Sequence, residues 1–115
     1  MQMVNQQLID PESIVVVGAS NNISKPGGKL LYNLRNGTFD GALYALNPKE
    51  ETVQGLPAYR EVNDLPDTDL AILAIPAHLC PQVVRELVEN RNTRAFIIVS
   101  AGFGEEDEQG AAIEK

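Results

Sequence analysis

The chain is expected to fold as an α/β protein, with a mainly parallel sheet covered by helices on both faces in three layers. Three observations lead there. Short, almost wholly apolar runs recur along the 115 residues: Ile14–Val17, Leu70–Ile75 and Ala95–Val99. Such runs suit strands buried on both sides of a parallel sheet. Segments with helical spacing of apolar residues alternate with them, which is the order of a doubly wound sheet. Each apolar run also stops at small residues or proline, as strand ends beside a ligand crevice do.

Taken in order, a strand is predicted over 13–18, closing in Gly18-Ala19-Ser20. The loop that follows holds Asn21, Asn22 and Ser24, all residues of turns and helix caps, and Pro26 suits a first helical turn. A helix is expected from about Gly27 to Asn36, with Leu30, Leu31 and Leu34 on its packed face and Gly37 as the stop. A second strand covers 42–46 and ends at Asn47-Pro48-Lys49. Residues 49–67 contain no long helix, and Val53–Tyr59 reads as an extended piece and turn. The third strand, 69–75, ends at Pro76-Ala77. Pro81 then suits a helix start, and Val83, Val84, Leu87 and Val88 give an apolar face as far as about Asn90. A fourth strand, 95–99, ends at Ser100-Ala101-Gly102, and another helix is expected from Glu105 to Lys115.

A parallel arrangement in the Rossmann-like manner gathers the strand ends on one edge. That edge would collect Gly18, Ala19 and Ser20; Asn47, Pro48 and Lys49; Ile75, Pro76 and Ala77; and Ser100, Ala101 and Gly102. Glycine and alanine let backbone approach a ligand, and amides at the start of the following helix can receive phosphate oxygens. The usual GxGxxG turn is absent. The end of the second strand carries an amide and a cation where an NAD site has an acidic residue on the ribose. A phosphorylated ribose, as in coenzyme A or NADP, suits Asn47-Pro48-Lys49 better than NAD does.

Composition narrows the field. The formal net charge of −7 argues against a nucleic-acid binder, which needs a basic surface. Residues 1–50 hold four acidic and four basic side chains, against twelve and five in 51–115. Three of the early cations, Lys25, Lys29 and Lys49, fall near the predicted strand ends. No apolar run is long enough for a membrane span, and residues 1–7 lack the pattern of a secretory signal. A single cysteine allows no internal disulfide and fits a reducing compartment, so a cytoplasmic location is expected.

These residues, in this order, resemble the CoA-binding domain of NDP-forming acyl-CoA synthetases, related to the succinyl-CoA synthetase alpha subunit. The resemblance rests on Ser13–Ser20, Lys25-Pro26-Gly27, Asn33-Leu34, Ala45–Lys49, Leu70–Ala77 and Ile98–Glu105, and it covers about residues 10–110. It implies CoA lying along the strand-end edge. Gly18, Ala19 and Ser20 would face the CoA phosphates, with Lys25 and the Asn47-Pro48-Lys49 corner near the phosphorylated adenosine. Ile75-Pro76-Ala77 and Ser100-Ala101-Gly102 would flank the pantetheine arm. Lys25 is preferred over Lys29 as the phosphate cation. The resemblance further implies an N-terminal domain, 1–115, of a larger multidomain ligase that makes acyl-CoA from acid, CoA and ATP or GTP. In such enzymes an acyl phosphate forms, a histidine in a Gly-His-Gly or Gly-His-Ala setting carries the phosphoryl group, and nucleotide binds an ATP-grasp domain. Neither feature occurs in these residues, so the chain by itself is expected to bind CoA without turnover.

Other candidates for chemistry are weaker. His78, in Pro76-Ala77-His78-Leu79-Cys80, lacks that small-residue setting and reads as a surface or capping residue. Cys80 has no evident base beside it and reads as a packed thiol. Ser20 lacks a GxSxG elbow. Glu105-Glu106-Asp107-Glu108 lacks the alternation of a calcium loop, and no His/Cys cluster suggests a metal. Two alternatives stand beside the ligase reading. One is a stand-alone CoA-binding or sensing module, or the CoA-binding domain of a protein acetyltransferase. The other is an NAD(P)-binding domain of an oxidoreductase or redox sensor.

Overall fold

In the computed structural model, residues 11–99 are described. The central strand β1 (Ser13–Val17) is flanked by β2 (Ala42–Leu46) and β5 (Leu70–Leu73), both parallel to it. Outside β2 lies β4 (Leu56–Tyr59), parallel, and beyond it β3 (Thr52–Val53), antiparallel. On the other side β6 (Ala95–Ile98) pairs in parallel with β5. The sheet order is β3-β4-β2-β1-β5-β6. Helix α1 (Pro26–Asn36) follows β1, and α2 (Cys80–Arg91) follows β5 after a single 3-10 turn at Ala77–Leu79.

The valine run of β1 is explained by where its side chains go. Alternate residues of a strand face opposite sides of the sheet. Val16 packs with Leu31 of α1, and Ile14 with the partly buried Leu30 and Leu34 of the same helix. Val15 and Val17 share the opposite layer with Leu87 of α2, Leu65 and Val62. One helix therefore covers each face, and the three-layer architecture expected from the sequence is present.

Several boundaries differ from the expectation, each for a local reason. Helix α1 begins at Pro26, whose missing N–H costs nothing in a first turn, with Lys25 as N-cap. Of the two roles open to the polar cluster, turn and cap, it takes the turn: Asn22 Oδ1 accepts from the Ser24 amide and hydroxyl, and Ser20 Oγ accepts from the Asn22 amide. Helix α2 runs one residue past Asn90, because Asn92 takes the left-handed conformation (φ 57°) and the Thr93 amide donates back to Leu87 O. Gly37 does end α1, but in extended rather than left-handed backbone. The extended piece near Val53 is a hairpin, β3–β4, which enlarges the four-strand sheet of the sequence reading to six. Strand β6 forms the edge among the described residues, and its Ile97 and Ile98 are 40% and 55% exposed. The expected helix from Glu105 lies outside the described residues.

Candidate functional site

The order in which strands are added to the sheet reverses at β1. The path goes outward to β2 and β4, then returns to the other side of β1 as β5. Ligands in open α/β sheets bind outside the carboxyl ends of the strands at such a switch point. Two adjoining clefts lie there, sharing Gly18 and Ile75 as a common wall.

The smaller cleft, of about 300 Å3, is formed by the β1–α1 turn and the end of β5. Seven of the residues singled out in the sequence line it: Gly18, Ala19, Ser20, Lys25, Asn47, Ile75 and Pro76. Gly18 has φ +90°, a conformation that L side chains rarely adopt, and an added Cβ would lie 2.4 Å from Ala74 O. Helix α1 then approaches so closely that a Cβ on Gly27 would stand 2.0 Å from Gly18 O. The glycine work of a dinucleotide fingerprint, a tight turn and close helix–strand packing, is thus done by Gly18 and Gly27 without GxGxxG spacing. Helix α1 has no side-chain cap, and its N-cap residue is a lysine. Its uncapped first turn and Lys25 together favour an anion at this end.

Asn47 is committed to holding the walls. Its Nδ2 donates to Ala19 O at 2.9 Å, and its Oδ1 accepts from the amides of Lys49 (2.7 Å) and Glu50 (3.2 Å). This ties the end of β2 to the turn after β1. Lys29, Lys49 and Ala77 are exposed and line neither cleft, whereas Lys25 does line the smaller one. Ser100, Ala101 and Gly102 lie outside the described residues.

The larger cleft, of about 460 Å3, opens between the ends of β2 and β5 on the α2 side. Its apolar floor includes Val17, Leu46, Pro48 and Leu79, and Arg60, Asn63, Gln82 and Glu86 supply polar groups. Of the residues singled out in the sequence, only Gly18, Pro48 and Ile75 belong to it. The 60–63 and 79–86 contributions were missed because they come from a loop and a helix with no motif of their own.

The other two candidates from the sequence lie where α2 begins. His78 is exposed in the turn before α2. Cys80 is 5% exposed, its Sγ lies 3.7 Å from Pro76 O, and burial raises its thiol pKa above the ordinary value. A helix N-terminus alone would lower it, so desolvation prevails. Among the described residues no group of three or more His, Cys, Asp or Glu side chains is placed to hold a metal ion, and no helix is long and apolar enough to cross a membrane.

Comparison with known proteins places this geometry in a family. The family model for a CoA binding domain matches residues 12–115. An ADP-forming acetate–CoA ligase, form II, of Archaeoglobus fulgidus is 38% identical over 111 residues, covering 96% of this chain and 16% of that protein. A trans-feruloyl-CoA synthase of an unknown prokaryotic organism is 43% identical over 110 residues, covering 92% of this chain and 15% of that protein. Among solved structures, the acetyl-coenzyme A synthetase 1 of Candidatus Korarchaeum cryptofilum, described as dinucleotide-forming and in complex with phosphate and ADP, superposes with a TM-score of 0.77 at 30% identity. It covers 94% of this chain and 24% of that one. This chain thus spans about a sixth of the length of these curated relatives. It is homologous to part of acyl-CoA ligases and synthetases, and it belongs to the CoA binding domain family.

Proposed function

We propose that the chain holds coenzyme A along the carboxyl edge of the sheet and orients its thiol for acyl transfer within a larger NDP-forming acyl-CoA synthetase. In this reading the diphosphate lies against the β1–α1 turn, where Gly18, Ala19 and Ser20 admit it closely and Lys25 neutralises it. The adenosine enters the larger cleft over Leu46, Pro48 and Leu79, and Gln82 and Glu86 offer acceptors to the exocyclic amino group. Lys49, exposed next to Pro48 in the loop after β2, takes the 3′-phosphate. The pantetheine arm leaves past Ile75, Pro76 and Ala77, toward Ser100, Ala101 and Gly102.

The single observation supporting this reading most strongly is the pair of clefts joined at Gly18. One is narrow and suited to an anion; the other is wider, largely apolar and suited to a base. An extended phosphorylated nucleotide needs both in that order. The parent reaction would convert acid, CoA and ATP or GTP to acyl-CoA, NDP and phosphate, with nucleotide on an ATP-grasp domain or subunit. The two ligase relatives act on different acids by name, acetate and trans-ferulate, while sharing this domain. Acid selection therefore belongs to the rest of the parent, and CoA is the ligand shared with it.

Calorimetric titration of the 115-residue chain with CoA, dephospho-CoA and NADH tests the proposal. CoA should bind, dephospho-CoA should bind roughly tenfold more weakly for loss of one charge-assisted contact, and NADH should give no saturable heat. NADH binding with no response to CoA would replace the reading with a nicotinamide site.

A further inference from the structure

The β3–β4 hairpin turns through Gln54 and Gly55, with Val53 paired to Leu56 and φ values of +51° and +87°. A two-residue turn with both central residues left-handed favours Asn, Asp or Gly at its first position. Glutamine is poorly suited, being too long to make the local backbone bonds that help Asn tolerate this conformation. Its side chain is used elsewhere. Gln54 Nε2 donates to Ser20 O and to Gly28 O, each at 2.9 Å. Both partners are carbonyl oxygens, so only the NH2 end of the amide satisfies them, and its two hydrogens are both spent.

Those carbonyls bracket the segment that carries Lys25, from the turn after β1 to the first turn of α1. One glutamine, 26 and 34 residues away in sequence, spans the loop from outside while Ser20 and Lys25 face the smaller cleft. The hairpin is itself held in place. Asn21 Oδ1 accepts from the Gln54 amide at 2.6 Å, Asn21 Nδ2 donates to Thr52 O at 3.1 Å, and Arg35 Nη1 donates to Gln54 O.

We propose that Gln54 is a positioning residue for CoA: it fixes the Ser20–Gly28 loop in the shape that presents the first turn of α1 and Lys25 to the phosphates. The proposal rests on the CoA reading given above. If loss of the clamp leaves the loop competent only a tenth to a fifth of the time, affinity falls by roughly fivefold to tenfold.

The test uses Q54G and Q54N, since both residues suit the turn backbone and neither reaches the loop with the same amide. Each variant is measured for urea unfolding, for CoA and dephospho-CoA affinity, and for amide exchange over residues 20–28. The expected result is an unfolding midpoint equal to or above that of the unaltered chain, faster loop exchange, and CoA and dephospho-CoA weakened by the same factor. A parallel loss is required because the 3′-phosphate lies outside the loop. Unchanged affinity in both variants overturns the role of Gln54 while leaving the CoA site intact. No CoA binding by the unaltered chain overturns the site itself. Loop exchange then decides whether Gln54 orders the segment.

Discussion

The two clefts share Gly18 and Ile75 yet are built from different materials. The smaller is made of backbone: a left-handed glycine, an uncapped helix start, and glycines whose added Cβ atoms would fall 2.0–2.4 Å from backbone carbonyl oxygens. The larger is made mainly of side chains from four separated stretches: the end of β1, β2 with its exit loop, residues 60–63, and the span from Ile75 after β5 into α2. Backbone walls fix position and tolerate no added atoms. Side-chain walls set size, polarity and charge, and they can be edited without disturbing the sheet. The difference separates where the ligand is anchored from what the ligand is.

The largest effect should come from the backbone-built side. In Gly27→Ala the new Cβ meets Gly18 O, an atom in the central turn of the sheet that cannot rotate away. We expect a stability loss of roughly 2–3 kcal/mol from overpacking, read from urea unfolding midpoints, with CoA binding lost as α1 is pushed off the turn. A variant as stable as the unaltered chain would mean that α1 can retreat, and the close approach would not be what shapes the cleft.

A substitution in the other cleft should separate binding from folding. Leu79 is 46% exposed, so Leu79→Asp should leave the unfolding free energy within about 0.5 kcal/mol of its original value. The carboxylate placed beside the base and phosphates should weaken CoA and adenosine 3′,5′-bisphosphate by roughly tenfold. It should leave 4′-phosphopantetheine alone. Lys25→Ala should do the reverse in part, weakening every ligand with a phosphate at the turn, whereas Lys29→Ala should weaken none. If Leu79→Asp and Lys25→Ala affect the three ligands identically, the two clefts do not divide the molecule as described.

What was legible in the sequence follows the same division. The turn after β1 could be read because its determinants are consecutive: four apolar β-branched residues, then Gly18-Ala19-Ser20, then Pro26 at a helix start. Helix α2 could be read from Val83, Val84 and Leu87. Gln54 could not be assigned its contacts, since its partners Ser20 and Gly28 are reached only after β4 joins β2 in parallel through Ala58 and Tyr59. Two- and four-residue strands leave too little periodicity to reveal that pairing. The Asn22–Ser24 cluster could be read only as turn or cap for a related reason. Asx and hydroxyl side chains satisfy local turns and helix starts equally well, and Pro26 decided which of the two occurs. The larger cleft exists only through tertiary placement of Asn63, Gln82 and Glu86, none of which belongs to a motif.

Cys80 sharpens the comparison at the smallest scale, because it opens α2 beside the side-chain cleft yet is turned into the core. A thiol at a helix start facing solvent would be acidified by the dipole and would react readily. Here burial dominates and holds the thiol above its ordinary value of 9.0. The folded state therefore keeps the proton more tightly than the unfolded chain does. The stability linked to that proton is complete below the unfolded value and is lost as pH rises through the folded one. Near pH 8, disulfide exchange with an aromatic disulfide should run at least about tenfold slower in the folded chain than in urea, from low thiolate fraction and blocked access together. CoA should not change the folded rate, since Sγ points to Pro76 O from inside the core and lines neither cleft. A fast folded reaction that CoA suppresses would place the sulfur in the ligand's path and would make the opening of α2 part of the site.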